Sequence, residues 1–283
     1  MSLSSVIQVL LPTLVPIAVG YAVARWIGVA TKPLATLLRY VFFPALLFTV
    51  VQGRMGFSTF LLLAATGAAM AGVGLLLVRN AGRFLKPQVD SSAALLNIAC
   101  FSIPFLALSW AANGLGTACA LFVGVALVLF LVESNAKALL REPWLYAVAA
   151  ALLFQGLGIS LPWFDKMLTP FARAAYVVLL LFLGTALHPW VSFRNAEAWA
   201  TVGVRMVSGL AVGLLAVAML PFSAAIAEGV ILTALAPPAT RSMALAVDAE
   251  ESQAARAAAS LGVVVSLAVI LFLLVSGWKP WRV

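Results

Sequence analysis

The chain has 283 residues, 64% of them hydrophobic and 9% charged, with a formal net charge of +8. A water-soluble domain carries about 25% charged residues, so a soluble globular fold is excluded. The basic excess does not indicate a nucleic-acid partner, because the lysines and arginines are scattered through short loops and form no basic face.

Apolar runs of about 20 residues, the length that crosses a bilayer as a helix, recur along the whole chain. The first covers 6–24. Its "AVA" at 22–24 looks like a signal-peptide cleavage site, but no basic residue precedes the run and Arg25 follows it. That is the reverse of a signal's charge order, so a retained span with an outer N-terminus is expected. Pro12 and Pro16 within it read as kinks or packing features, as does Pro44 in the second span, 31–52. Arg39 sits near the inner edge of that span and reads as a snorkelling anchor. The third span is 57–78. The stretch 91–132 carries no charge and is too long for one crossing; "ANGLG" at 112–116 is a turn signal that divides it into spans four and five. It holds Cys100 and Cys119, which lack a CxxC spacing or a histidine pair and read as small buried hydrophobes rather than a metal or disulfide site. Spans six to ten follow at 143–161, 169–187, 196–220, 223–247 and 254–278.

The loops test this count. With the N-terminus outside, nine basic residues fall in inner loops and four in outer ones, which places both termini outside. The fold expected is all-α and polytopic, with ten transmembrane helices.

Two of these spans contain unusual breaks. Span four carries Pro104 in "NIACFSIPF", and span nine carries Pro237 and Pro238 in "ALAPPAT". Each is the fourth span of a set of five. Five is odd, so two such sets, 1–135 and 136–283, would be inverted copies with broken crossover helices four and nine. Proline-interrupted segments at matching positions of two halves point to a transporter's binding site. A broken membrane helix leaves backbone groups unsatisfied at several kcal/mol each, so it persists only where it lines a cavity or is buried in protein. The start of each second half-helix carries roughly half a positive charge, which suits an anion.

The remaining intramembrane polar residues have two readings each. Arg241 lies about 6 Å along the helix from Pro237, so it either faces the substrate or snorkels and pairs structurally. Glu228 falls at the outer interface. Arg205 lies about 12 Å into span eight, where an arginine costs roughly 3 kcal/mol; it is either structural, bonding carbonyls freed by a broken helix, or functional. His188 reads as a loop histidine, and "GLAVG" at 209–213 as close helix packing. No Walker loop, HExxH or GxSxG is present, so no enzyme is indicated.

Four short motifs in order, "YVFFPALLF" at 40–48, "NIACFSIP" at 97–104, "LLFLGTAL" at 180–187 and "ALAPPAT" at 234–240, resemble the auxin efflux carrier family, which holds the plant PIN-like carriers and bacterial malonate and malate permeases. The resemblance runs over nearly the whole chain. It implies a fold like that of bile-acid symporters and sodium/proton antiporters. Spans one, two, six and seven would form a scaffold, and the others a transport domain that moves as an elevator, with a homodimer as the assembly. By motif position it places Asn97, Pro104 and Pro237 in the substrate site. The full expected set is Asn97, Ser102, Ile103 and Pro104 from the first break and Pro237, Pro238, Thr240 and Arg241 from the second. Ser102 replaces the family's usual glycine, and Arg241 a smaller polar residue. The long hydrophilic loop of many plant members is absent, since 133–142 is short. That favours a bacterial inner-membrane permease.

The function expected is secondary transport of a small organic anion, a mono- or dicarboxylate, with no cofactor and no metal. No Asp or Glu lies near either break, which argues against a sodium site. The alternatives are a channel, a non-transporting membrane sensor or an intramembrane transferase.

Overall fold

A computed structural model describes residues 3–28, 31–84, 89–90, 96–108, 114–133, 136–188, 194–239 and 253–276. Its elements are helical throughout: α1 (Leu3–Ile27), α2 (Thr31–Leu37), α3 (Phe43–Arg54), α4 (Phe57–Phe84), α5 (Ile103–Leu108), α6 (Leu115–Glu133), α7 (Ala136–Leu139), α8 (Pro143–Gly156), α9 (Pro162–Ala186), α10 (Ala196–Met219), α11 (Ala224–Ala234) and α12 (Gln253–Ser276). Two π-helical turns, Leu38–Phe42 and Ile98–Ser102, lead directly into α3 and α5.

Among the described residues, seven helical segments are long and apolar enough to cross a membrane. The protein is a multi-pass, all-helical membrane protein. Predicted spans four, six and nine coincide with shorter apolar helices, Ile98–Leu108, Pro143–Gly156 and Ala224–Ala234. The first runs through Pro104 without ending, and the third stops at Ala234, three residues before the Pro237–Pro238 pair. The second ends where Gly158 takes a left-handed φ of 66°, a conformation that costs a residue with a Cβ more than it costs glycine. Helix α9 then begins at Pro162, earlier than the expected 169, with Pro at its first position and Asp165 in its first turn. Both features stabilise a helix start. Lys166, expected in an outer loop, therefore lies on the helix. Helix α1 runs through Pro12 and Pro16 without ending.

The helices form two packed sets. Helices α1, α3, α8 and α9 pack together, and α4, α6, α10, α11 and α12 form the other set, with α5 and the π-helical turn before it packed between α9 and α6. Glycines allow the closest approaches. A Cβ on Gly20 would overlap the Leu181 carbonyl, and one on Gly184 would overlap that of Ile17. Helices α1 and α9 thus run side by side in the same direction, with Tyr21 edge-on to His188 at 5.4 Å. Helices α4 and α6 meet through the same pattern of contacts, with Gly67 against Leu121 and Gly124 against Ala64. Without a hydrophobic driving force in lipid, such backbone-level contact is what holds helices together.

Helices α3 and α8 also run in the same direction. Near the start of α3, Arg39 forms a bidentate ion pair with Glu142, its Nε donating at 3.2 Å and its second nitrogen bonding the other carboxylate oxygen. Beyond the far end, Gln155 donates to the Met55 carbonyl. Arg39 is therefore a paired residue in the bundle and not a free snorkelling anchor. Burial pushes the Glu142 carboxyl up from its ordinary range, and Arg39 holds it back in part. An edge-to-face aromatic cluster, Phe43–Phe122 at 4.8 Å and Phe122–Trp144 at 5.5 Å, ties α3 and α8 to α6.

Candidate functional site

Pro104, expected to break its helix, instead lies within the continuous helical run Ile98–Leu108. It has no N–H, and its ring would clash with the carbonyl four residues back. The ladder shifts by one residue instead: the Ser102 N–H donates to the Asn97 carbonyl at 3.3 Å, and the Ile103 N–H to that of Ile98. This is the π-helical turn. Pro44 stands in the same relation to the turn at Leu38–Phe42, where the Phe43 N–H donates to Leu38. Asn97 caps the turn. Its Oδ1 accepts from the Cys100 N–H at 3.3 Å, and its carbonyl accepts from Phe101 at 3.2 Å as well as from Ser102.

The other expected break begins where α11 stops at Ala234. The Leu235 N–H returns to the Ile231 carbonyl and the Ala236 N–H to that of Thr233, closing the last turn. Pro237 and Pro238 cannot extend it, because neither has an N–H. Their segment offers only carbonyls, and one is used directly: the Asn97 N–H donates to the Pro237 carbonyl at 3.0 Å. Leu96 and Pro238 pair as an isolated antiparallel bridge. The two segments, far apart in sequence, thus meet and hydrogen-bond through their main chains.

Neighbouring helices close over this joint. Gly262 of α12 lies against the proline pair; a Cβ there would overlap the Pro238 ring and lie 3.0 Å from Pro237 Cβ. On α10, Arg205 is 1% exposed and donates from a terminal guanidinium nitrogen to the Ala234 carbonyl at 3.2 Å. Gly209, one turn on, makes this possible: a Cβ there would overlap both the guanidinium and that carbonyl. Arg205 therefore does bond a carbonyl at the end of a broken helix, where the dipole is negative.

Of the expected site residues, Asn97 and Pro237 meet through a main-chain hydrogen bond, with Pro238 paired to Leu96 beside them; Ser102, Ile103 and Pro104 follow Asn97 along its helix, and all six are buried. Thr240 and Arg241 lie outside the described residues. The crossing also brings in Leu96, Gly262 and the Arg205–Gly209 pair. Polar atoms without a hydrogen-bond partner accompany it: Ser102 Oγ in the π-helical turn, Thr233 Oγ1 in the last turn of α11, and Arg205 Nε. Unpartnered buried polar groups are rare in folded proteins and mark places with a further ligand or a functional constraint. Cys100 and Cys119 are buried and form no disulfide. His188 lies just past the end of α9 with its Nδ1 unpartnered. Among the described residues no group of three His, Cys, Asp or Glu side chains could hold a metal ion.

No protein-family model matches this chain, and no curated protein matches it.

Proposed function

We propose that the chain is a secondary transporter that moves a small organic anion, a mono- or dicarboxylate, across a bacterial inner membrane by alternating access of the elevator type. The observation that carries this reading is the joint between Asn97 and Pro237, where the start of the Pro104-containing helix meets the proline-interrupted end of α11 inside a membrane protein. Interrupted backbone at membrane depth persists only where it is buried in protein or lines a cavity, and interrupted segments at corresponding positions of two halves point to a transporter's site.

In this reading the chain crosses the bilayer ten times, with both termini outside, as inverted five-span repeats 1–135 and 136–283. The packing pattern supports it. Exchanging the two halves turns the pair of spans one and seven into the pair six and two, and both pairs, α1 with α9 and α3 with α8, pack in parallel. The same exchange relates α4–α6 to α10–α12, which also pack together. The set containing α1, α3, α8 and α9 is the scaffold. The set carrying the crossing moves against it. The resemblance to the auxin efflux carrier family supports the same division, and with it a homodimer.

Asn97 keeps its Oδ1 on the Cys100 N–H and donates from Nδ2 to the substrate carboxylate. Ser102, Ile103, Pro104, Pro237, Pro238 and Thr240 shape the pocket, and Arg241 adds positive charge. Uptake and counterflow of radiolabelled malonate and malate in proteoliposomes test this reading. Saturable uptake with counterflow supports a carrier. Non-saturating flux would make the chain a channel, and no flux of any organic anion would remove the reading.

A further inference from the structure

Two charged residues are fully buried among the described ones, Glu142 and Arg205. Their situations differ. Glu142 holds Arg39 in a bidentate pair. Among the described residues Arg205 has one carbonyl, that of Ala234, and no carboxylate within ion-pair distance, and its Nε has no hydrogen-bond partner. A buried charge that lacks its opposite is among the most costly arrangements in a protein, and a single helix C-terminus offers only about half a negative charge to a whole guanidinium. Yet the fold is built around this cation: Gly209 leaves the space that a side chain would fill, so the guanidinium can rest against the end of α11. The first half has no counterpart, because α4 carries no charged residue before Arg79.

The place of the charge matters. Ala234 ends the first part of the broken segment, and Pro237, three residues on, accepts the hydrogen bond from Asn97. The negative end of α11 would otherwise point at the crossing and repel an anion. Arg205 reverses the sign there. Resting on the transport reading above, we propose that Arg205 is the specificity-determining cation of the site: it cancels the α11 dipole and supplies the excess positive potential that selects carboxylates over neutral analogues. The missing opposite charge is the substrate's.

The test uses the full chain, purified in detergent, and the shift of its melting midpoint on titration with malonate and, in parallel, with the neutral isostere malonamide. Wild type is expected to prefer malonate by about tenfold or more, the range set by losing one charge-assisted contact. Arg205→Gln is expected to bring the two affinities together, and Arg205→Lys to keep most of the preference. Gly209→Ala retains the charge but pushes the guanidinium off the Ala234 carbonyl, so it is expected to weaken malonate binding without improving malonamide binding. This variant carries the test if Arg205→Gln does not fold. Full preference for malonate in a folded Arg205→Gln, or in Gly209→Ala where Gln is not folded, overturns the inference and leaves the transport reading standing. A wild type that responds to no carboxylate of a malonate, malate and acetate series overturns the transport reading, and this inference with it.

Discussion

The main-chain N–H of Asn97 donates to the carbonyl of Pro237 across 140 residues of sequence, at 3.0 Å. Each partner is fixed by the chemistry of a proline. Pro104 accounts for the π-helical turn that Asn97 caps, and Pro238 disfavours helical geometry at Pro237, the residue before it. The joint is therefore a product of two local backbone rules, and each can be altered separately.

Pro104→Ala restores an N–H that can bond the Cys100 carbonyl and draws the π-helical turn towards regular α-helix. The variant is expected to melt at the same temperature as wild type or higher. Uptake is expected to fall about tenfold, a trade of function for stability. A variant that transports at the wild-type rate would show that the turn is incidental.

Asn97→Ala removes the cap on Cys100. A lost N-cap costs about 1 kcal/mol, which thermal melting in detergent reads as a lowered midpoint. Asn97→Asp keeps an acceptor for that N–H and places a negative charge in the crossing. It is expected to be folded and unable to bind a carboxylate, which separates the capping role from the binding role.

Much of this was legible in the sequence, and the reasons for the rest are specific. Composition fixes the membrane class, and the Pro237–Pro238 pair announces its own break, while Pro104 lies in a continuous helical run. That the two segments touch through Leu96 and Pro238 has no sequence signal, because main-chain pairing leaves no residue pattern. The depth of Arg205 marked it as needing a partner, but the partner is a carbonyl 29 residues away, invisible to composition. Arg39 read as a lone anchor because Glu142 lies 103 residues on. Gly262 has no local sequence feature that sets it apart, because its contact with the proline pair is made between segments far apart in the chain. At α9 the local start signals, Pro162 and Asp165, were present, and the hydropathy of the later residues masked them.

The ion pair of Arg39 and Glu142 predicts a pH effect with a definite sign. Arg39→Ala leaves a carboxylate that is 3% exposed in wild type without its partner, costing about 3 kcal/mol at neutral pH. The Glu142 carboxyl then rises further, so the folded chain holds a proton that the unfolded chain has released. Stability is greatest below the ordinary carboxylate range and falls as pH climbs from that range to the folded value. Melting curves across pH check this, and Arg39→Ala with Glu142→Gln is expected to flatten the profile.

Glycine substitutions separate packing from propensity. A Cβ on Gly124 would overlap the Ala64 backbone, so Gly124→Ala is expected to destabilise by about 1–3 kcal/mol. Gly72, on the facing helix α4, has open space at its Cβ position, so Gly72→Ala is expected to be neutral or to stabilise by up to about 1 kcal/mol. Melting midpoints of the two single variants, measured side by side, decide it.

The most direct test of the account is saturable uptake of radiolabelled malonate or malate into proteoliposomes by wild type and by the double variant Asn97→Ala, Arg241→Ala. The account predicts uptake by wild type and its loss in a double variant that still folds. Unchanged uptake by the double variant would contradict the placement of the substrate at the crossing of the two proline-containing segments.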